Sequence, residues 1–420
     1  MSVGTNAAPP AAPPTPPAEP TPSRPTVRRK GGRAVLYTVI GVIIVVVILV
    51  AVGASTNWYG LQKSSSTAAC SSGLTLQGDG AQIAVPLMDV WTTTYKSVTN
   101  NSINYPGSGS GTGITKFTST TVDFAMTDDP LTPAERLALP AQQLTIPFVG
   151  GALAIIYNLP GLSGHVNLTG PVLAGIYNGS ITTWNNTAIT SINPGVTLPS
   201  ATIVPVVRSD AAGTTYVLTD FLSQSSSSWA SKVGKGISVQ FPPVTGEKGE
   251  HGNSAVLTYV SGNKYTIGYS DLTDVLASAS PPQYAAIENP AQKFIVPTIA
   301  STESAIVDKV ATMKTIPTSA GDWFNVSMVK ANGTTDYPIA TLLYMYVYQV
   351  TNKGFEPTLA KSQVIVQWLH WTLSSAAQAL VDETSPAQLY YAPLPQAIIS
   401  VDEAGISTMT FNGAAIPACT

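Results

Sequence analysis

The sequence is poor in the residues on which most catalytic and metal-binding chemistry depends. It has two cysteines and three histidines in 420 residues, and the histidines lie far apart, at His165, His251 and His370. Their spacing matches no zinc-binding pattern. The chain also lacks a Gly-x-Ser-x-Gly nucleophile elbow and a phosphate-binding loop ending in Gly-Lys-Ser or Gly-Lys-Thr. We therefore expect no enzyme activity, no metal and no cofactor.

Charge is scarce as well. Charged residues make up 10% of the chain, whereas glycine (34) and proline (33) are abundant. This composition is typical of a turn-rich protein that works outside the cytoplasm. Five of the 20 basic residues and one of the 23 acidic residues lie within residues 1–33, so the rest of the chain is acidic overall. We expect no nucleic-acid surface, although oriented donors inside a closed site can still bind an anion.

The N-terminal part predicts a membrane anchor. Residues 1–33 are rich in proline and alanine and lack an apolar period, which predicts a disordered tail. Residues 34–54 are uncharged and, at about 21 residues, can span a bilayer. The basic cluster before them places the tail in the cytoplasm and the C-terminal part outside. Residues 55–73 form a Ser/Thr-rich linker. A second interpretation is processing at Arg29–Gly32, as in pilin-like signal peptides, which would keep the hydrophobic helix.

The two cysteines bracket the globular part of the chain. We interpret Cys70 and Cys419 as a disulfide that joins its two ends, and two unpaired thiols are the alternative. The chain also contains glycosylation sequons, which fit an exposed surface. They start at Asn100, Asn167, Asn178, Asn185, Asn325 and Asn332.

Strand and helix patterns alternate along the globular part, which predicts an α/β fold. Gln77–Gln82 is predicted as a turn after a short strand, and Val85–Val98 as a helix with one apolar face. Thr132 and Glu135 form a capping box at a helix start. Ala152–Tyr157 is an uninterrupted apolar run, typical of a buried strand. Gln363–Leu380 is predicted as a single amphipathic helix.

One stretch is suited to holding an oxyanion. Residues 107–113 are all Gly, Ser or Thr, so the segment has no bulky side chain. It connects a short strand to a predicted helix that starts near Gly111. Glycines there let main-chain N–H groups converge, while Ser110 adds a hydroxyl donor and the helix start adds partial positive charge. Asp128 follows the next strand. It repels a fully ionised anion but accepts a hydrogen bond from one that keeps a proton, as phosphate does and sulfate does not.

A second strand–turn–helix junction repeats this arrangement. Arg208 ends a predicted strand and offers a planar fork for two anion oxygens. Asp210 can pair with Arg208 and fix its orientation. Gly213 allows a tight turn, and Thr214 provides a main-chain N–H and a hydroxyl. Taken alone, Arg208 could equally belong to an ordinary surface ion pair.

Four segments resemble one known family, the PstS phosphate-binding proteins of phosphate ABC transporters. The resemblance implies a type II periplasmic-binding-protein fold, with two lobes joined by hinge crossings over one phosphate ion. Lobe 1 would comprise residues 74–157 and 339–420, and lobe 2 residues 158–338. An ABC permease would be the partner. The segments are residues 109–113, 121–128, 176–184 and 208–215.

The resemblance also implies the ligands of the anion. Ser110, Gly213 and Thr214 would donate, Arg208 would pair with the charge and Asp128 would accept the phosphate proton, with Asp210 orienting the arginine. In the turn after the first strand, the main-chain N–H of Ile83 would donate. Two positions depart from the family, which usually has a hydroxyl residue in place of Gln82 and a serine in place of Ala212. Gln82 would donate through its amide and Ala212 through its main-chain N–H only.

The missing hydroxyl at Ala212 leaves two alternatives open. One is a binding protein for another oxyanion, such as molybdate, tungstate, arsenate or sulfate. The other is a surface structural protein that has kept the fold without the ligand.

Overall fold

The computed structural model describes residues 72–382, 384 and 389–417. The predicted tail, anchor and nearly all of the linker lie outside this part, and so do Cys70 and Cys419. Within the described part, no helix has both the length and the apolar character needed to cross a bilayer.

The strands and helices alternate as the pattern predicts. The strands are β1 (Thr75–Gly80), β2 (Ser102–Asn104), β3 (Phe124–Thr127), β4 (Gln143–Tyr157), β5 (Asn167–Leu168), β6 (Val204–Arg208), β7 (Lys248–Glu250), β8 (Thr266–Asp271), β9 (Gln283–Tyr284), β10 (Ala286–Glu288), β11 (Phe294–Ile295), β12 (Ala340–Tyr348), β13 (Thr410–Phe411) and β14 (Ala414–Ala415). The helices are α1 (Val85–Thr99), α2 (Ser110–Thr118), α3 (Pro133–Ala138), α4 (Gly170–Tyr177), α5 (Thr187–Thr190), α6 (Gly213–Ser225), α7 (Ser227–Lys232), α8 (Asn253–Gly262), α9 (Leu272–Ala277), α10 (Ile299–Thr312), α11 (Leu359–Leu373), α12 (Ser375–Gln378) and α13 (Gln396–Ile406), with 3-10 turns at Gln82–Ala84 and Thr351–Lys353.

Two hydrophobic cores divide the described chain into two lobes. The first contains Trp91, Phe148 and Trp368, and we call the part around it lobe 1. The second contains Trp184 and Tyr269, and we call the part around it lobe 2. This is the α/β class that the sequence pattern predicts, in the two-lobed form that the resemblance implies.

The chain crosses between the lobes along its two longest strands. In β4, residues up to Val149 pack in the core of lobe 1, and residues from Ala152 pack in the core of lobe 2. At the start of β12 the chain returns, because Ile339 packs in lobe 2 and Ala340 in lobe 1. The first half of β4 pairs with β12 and the second half with β8. Helix α10 and the segment after it pack on the first core, although the sequence-based division placed residues 158–338 in lobe 2.

The prediction of a turn at Gln77–Gln82 is wrong for most of that segment, because β1 continues to Gly80 and pairs in parallel with β3. Its glycines serve packing. A Cβ on Gly78 would collide with the ring of Phe124, so glycine lets that ring lie against the strand. Gly80 has φ +143° and meets the Met126 carbonyl closely, which requires glycine.

The sheet brings four strand ends to the cleft between the lobes. In lobe 1, β1 and β3 are parallel neighbours, and in lobe 2, β6 and β8 are parallel neighbours. Each of these strands ends where a loop or a helix N-terminus begins. Since ligands of open α/β sheets bind at the carboxyl ends of parallel strands, the fold places the candidate site in the cleft.

Candidate functional site

A small cavity lies between the lobes, with an empty volume of about 180 Å³. The centre of a water-sized sphere can occupy only about 10 Å³ of this space. A cavity that small suits a small ion and not a drug-sized ligand, whose pockets measure roughly 300–1,000 Å³. The structure brings together all eight residues that the sequence proposed as anion ligands, and adds three that it did not. The lining is Gln82, Ile83, Gly109, Ser110, Asp128, Arg208, Ala212, Gly213, Thr214, Asn253 and Asp271.

Lobe 1 contributes helix starts to the cavity. Gln82 and Ile83 open the 3-10 turn that follows β1, and Ser110 is the first residue of α2. Gly109, which precedes α2, has φ +105°, a conformation that favours glycine. Because the first N–H groups of a helix have no partner within it, these starts present donors and partial positive charge to the cavity.

Asp79, which the sequence did not single out, anchors the loop before α2. Its carboxylate accepts hydrogen bonds from the N–H of Ser108 (2.7 Å) and of Gly80 (2.8 Å), and Lys116 pairs with it. Burial opposes the charge, but the bonds from Lys116, Ser108 and Gly80 outweigh it and lower the pKa of Asp79. An ionised Asp79 therefore fixes the Ser110 helix start on the sheet.

Asp128 stands directly after β3 and is buried, with 3% of its surface exposed. Ser110 Oγ donates to its Oδ1 at 2.9 Å, and Thr341 Oγ1 donates to its main-chain carbonyl at 3.1 Å. Burial raises the pKa of Asp128, while the Ser110 bond and the Arg208 charge act in the opposite direction. The carboxylate is thus positioned to accept a hydrogen bond inside the cavity.

Arg208 provides the positive charge of the lining. Its Nε donates to Asp210 Oδ1 at 2.8 Å, and the two side chains form an ion pair, as the sequence predicts. Its Nη1 donates to Thr214 Oγ1 at 3.1 Å and to Asn253 Oδ1. Burial acts against the charge, but Asp210 outweighs it, so the pKa of Arg208 is raised further. The guanidinium is held in one orientation and stays charged.

Gly213 is required by the closed cleft. A Cβ at this position would overlap the Asp128 carboxylate, which belongs to the opposite lobe. Its φ lies outside the positive region, so the expected reason, a tight turn, is not the operative one. The two lobes are therefore in direct contact beside the cavity, and residue 213 must lack a side chain for them to be so.

Ala212 differs from its expected role. It lines the cavity, but its main-chain N–H donates to the Ile237 carbonyl at 2.9 Å. The one donor that this residue has is therefore already engaged. With the hydroxyl absent as well, Ala212 contributes shape to the cavity and no free donor.

Gln82 reaches across the cleft. Its Oε1 accepts a hydrogen bond from the main-chain N–H of Asn253 at 3.1 Å, and its amide lies over Gly252. The bond joins the first 3-10 turn of lobe 1 to the first residue of α8 in lobe 2. Gln82 therefore lines the cavity and also holds the lobes together.

The sequence missed Asn253 and Asp271. Asn253 starts α8 after Gly252, whose φ is +84°, and a lone Gly-Asn pair gives little signal. Its Nδ2 donates to Asp271 and, at 2.8 Å, to Asp274 Oδ2. Asp271 is the last residue of β8. The rule that binding sites gather at the carboxyl ends of parallel strands points to Asp271 once β8 is known.

Helix starts, one arginine and two carboxyl groups from the two lobes surround an ion-sized cavity. This arrangement is that of a substrate-binding protein of the two-lobed periplasmic type. The model for the PBP superfamily domain matches residues 63–376. A curated relative, the phosphate-binding protein PstS of Xylella fastidiosa, is 32% identical over 335 residues, which cover 78% of this chain and 84% of the relative. The PstS of Methanocaldococcus jannaschii is 33% identical over 294 residues, covering 68% and 74%. The chain belongs to the PstS family of phosphate-binding proteins, and it is a binding protein, not an enzyme.

Solved structures show the same fold. A phosphate-binding protein from Stenotrophomonas maltophilia has a TM-score of 0.59 at 19% identity, covering 79% of this chain and 93% of that one. A high-affinity periplasmic phosphate-binding protein called PfluDING, solved with phosphate bound, has a TM-score of 0.59 at 22% identity, with the same coverage. At these identities the likeness establishes the architecture.

Proposed function

We propose that the chain is an extracytoplasmic receptor that captures inorganic phosphate and delivers it to the permease of an ABC transporter. The observation that carries the proposal is the cavity itself, in which Ser110, Asp128, Arg208, Gly213 and Thr214 face one ion-sized space. The curated relatives are named phosphate-binding proteins, which supports the same ligand.

In the proposed complex, the donors come from both lobes. The main-chain N–H groups of Ile83 and Ser110 donate from lobe 1, because the Ser110 hydroxyl already donates to Asp128. Gly213 N–H and Thr214 donate from lobe 2. Arg208 balances the charge, and Thr214 Oγ1 is free to donate because it already accepts from Arg208. Burial of the ion between the lobes excludes water, which strengthens each charged hydrogen bond.

Asp128 would provide the selectivity. Phosphate carries a proton at neutral pH that can be donated to this carboxylate, whereas sulfate has none and is repelled. The same reasoning disfavours molybdate and tungstate. Arsenate also keeps a proton, so of these oxyanions it is the one that the cavity distinguishes least well from phosphate.

Calorimetric titration tests the ligand. We expect phosphate to bind and sulfate at large excess to leave that binding nearly unchanged. A protein that binds sulfate with similar affinity, or binds neither ion, would contradict the proposal. An Arg208→Ala variant is the control for the site, because removing the guanidinium leaves the bound anion without its countercharge.

We also propose that residues 34–54 anchor the receptor in the membrane, with the two lobes outside and Cys70 paired with Cys419. The apolar stretch and the position of the two cysteines support this arrangement. Membrane fractionation of the full chain, compared with a version that starts at residue 55, tests the anchor. Thiol alkylation before and after reduction tests the disulfide.

A further inference from the structure

A second carboxyl group faces the anion cavity. Asp271, the last residue of β8, lines the cavity together with Asp128 and Arg208, and 2% of its surface is exposed. A buried carboxylate next to a site for an anion is unfavourable unless it is paired or neutral. The bonds around Asp271 decide between these two conditions.

Within the described part of the chain, the carboxyl group of Asp271 has one hydrogen-bond partner, and that partner is uncharged. Asn253 Nδ2 donates to Oδ2 of Asp271. Among the residues that the structure describes, no hydrogen bond reaches Oδ1. Arg208, the cation whose charge acts on Asp271, is committed to Asp210 by an ion pair and to Thr214 and Asn253 by hydrogen bonds. No residue that the structure describes is therefore left to form an ion pair with Asp271.

The groups that face Asp271 are mostly acidic. Asp128 approaches from the end of β3, Asp274 from α9, and Tyr391 from lobe 1, against the single charge of Arg208 on β6. Burial, followed by the charges of Asp128 and Asp274, raises the pKa of Asp271 well above its usual range. An ionised Asp271 would add a second negative charge beside Asp128, and the arriving anion would add more. The neutral acid avoids this repulsion.

We propose that Asp271 is a neutral carboxylic acid that donates a hydrogen bond to the bound phosphate. The proposal rests on the proposed function of the cavity. The two carboxyl groups then have opposite roles. Asp128 accepts a hydrogen bond from the protonated oxygen of phosphate, and Asp271 donates a hydrogen bond to another phosphate oxygen. No proton leaves the site. This donor supplies a bond that Ala212, with no hydroxyl and an engaged N–H, does not.

Two variants of Asp271 test the role by calorimetry with inorganic phosphate at neutral pH. Asp271→Ala removes the donor and should weaken binding roughly 10- to 100-fold, the usual effect of one hydrogen bond to a charged group. Asp271→Asn keeps a neutral donor of the same shape, so it should bind phosphate at least about tenfold more tightly than Asp271→Ala does. Wild-type affinity in the alanine variant, or no restoration by asparagine, would overturn the proposal.

Infrared difference spectroscopy gives a second readout that does not depend on affinity. The phosphate complex of the wild type should show a neutral carboxyl band that Asp271→Asn lacks. Asp402→Asn is the matched control, because Asp402 is a fully buried carboxyl in lobe 1 away from the cavity. The Asp402→Asn variant should lose the carboxyl band of Asp402 and bind phosphate with wild-type affinity. If the Asp271 band is absent from the wild-type complex, the residue is ionised and the proposal is wrong.

These results separate the two proposals. Failure of the wild type to bind phosphate would contradict the proposed function. Phosphate binding by the wild type without restoration by asparagine would contradict only the role of Asp271.

Discussion

Replacement of Gly213 by alanine probes the closed cleft directly. Residue 213 is the first residue of α6, and a methyl group there would come within 2.7 Å of Asp128 Oδ2 and closer still to the rest of the carboxylate. Neither group can move aside easily, because Asp128 is held by Ser110 and Thr341. The lobes would have to stay apart by on the order of 1 Å, a displacement that can weaken a preorganised site about 100-fold.

The loss can also be worked out from the bonds. Separation of the lobes removes the hydrogen bonds that Gly213 and Thr214 would make with the ion while Ser110 and Asp128 hold it. The guanidinium of Arg208, also in lobe 2, still attracts the ion across a gap of about 1 Å because charge–charge attraction falls off slowly with distance. Two hydrogen bonds to a charged ligand contribute about 1.5–3 kcal/mol each, so their loss amounts to about 3–6 kcal/mol. That is roughly a 10²- to 10⁴-fold increase in the Kd for phosphate.

The free energy of unfolding of Gly213→Ala should not fall, although its affinity for phosphate does. The φ of Gly213 lies outside the positive region, and alanine in place of glycine within a helix is favourable by roughly 0.5–1 kcal/mol. The assay is calorimetry with phosphate together with thermal unfolding. Gly262→Ala is the control, because Gly262 is also helical but a Cβ there meets no atom within 4 Å. Wild-type affinity in Gly213→Ala would refute the closed arrangement.

Four other substitutions test separate parts of the site. Arg208→Lys keeps the charge but loses the planar fork, and calorimetry should show roughly 10- to 100-fold weaker phosphate binding; equal affinity would show that only charge matters. Asp128→Asn removes the charge that repels sulfate, so competition titrations should show at least about tenfold poorer discrimination, and unchanged selectivity would exclude this role. Gln82→Ala removes the bond to Asn253 across the cleft, and stopped-flow release of phosphate should be about 2- to 10-fold faster; an unchanged release rate would mean that the bond does not hold the cleft. Asp79→Asn removes a carboxylate whose pKa is lowered by folding, so it should cost roughly 1–2 kcal/mol in the free energy of unfolding at neutral pH. The wild type should lose the same stability as the pH falls through that lowered pKa, and a variant with wild-type stability at neutral pH would contradict this.

Local patterns predicted most of the elements. The helix expected at Val85–Val98 is confirmed as Val85–Thr99, and the capping box of Thr132 and Glu135 forms as predicted. These features depend on neighbours in sequence, so the sequence suffices. The predicted helix Gln363–Leu380 is instead interrupted at Ser374, which is extended and caps the next helix with its side chain. Serine competes for main-chain donors in this way, and periodicity alone does not reveal it.

The site depended on both kinds of information. Arg208 and Asp210 are two residues apart, and their ion pair could be inferred from that spacing. The bond from Asn253 to Gln82 joins residues 171 positions apart, so only the closed fold reveals it. The engagement of Ala212 N–H by Ile237 is likewise a tertiary contact. Sequence motifs located the donors, and the packing of the lobes determines which of them remain free.

In the proposed complex, two facing lobes recognise an oxyanion that still carries a proton. A calorimetric titration of the protein with phosphate, performed in the presence and absence of excess sulfate, tests it most directly. We expect one phosphate ion to bind per chain, with an affinity that sulfate barely changes. Displacement of phosphate by sulfate, or a stoichiometry unrelated to a single site, would contradict it.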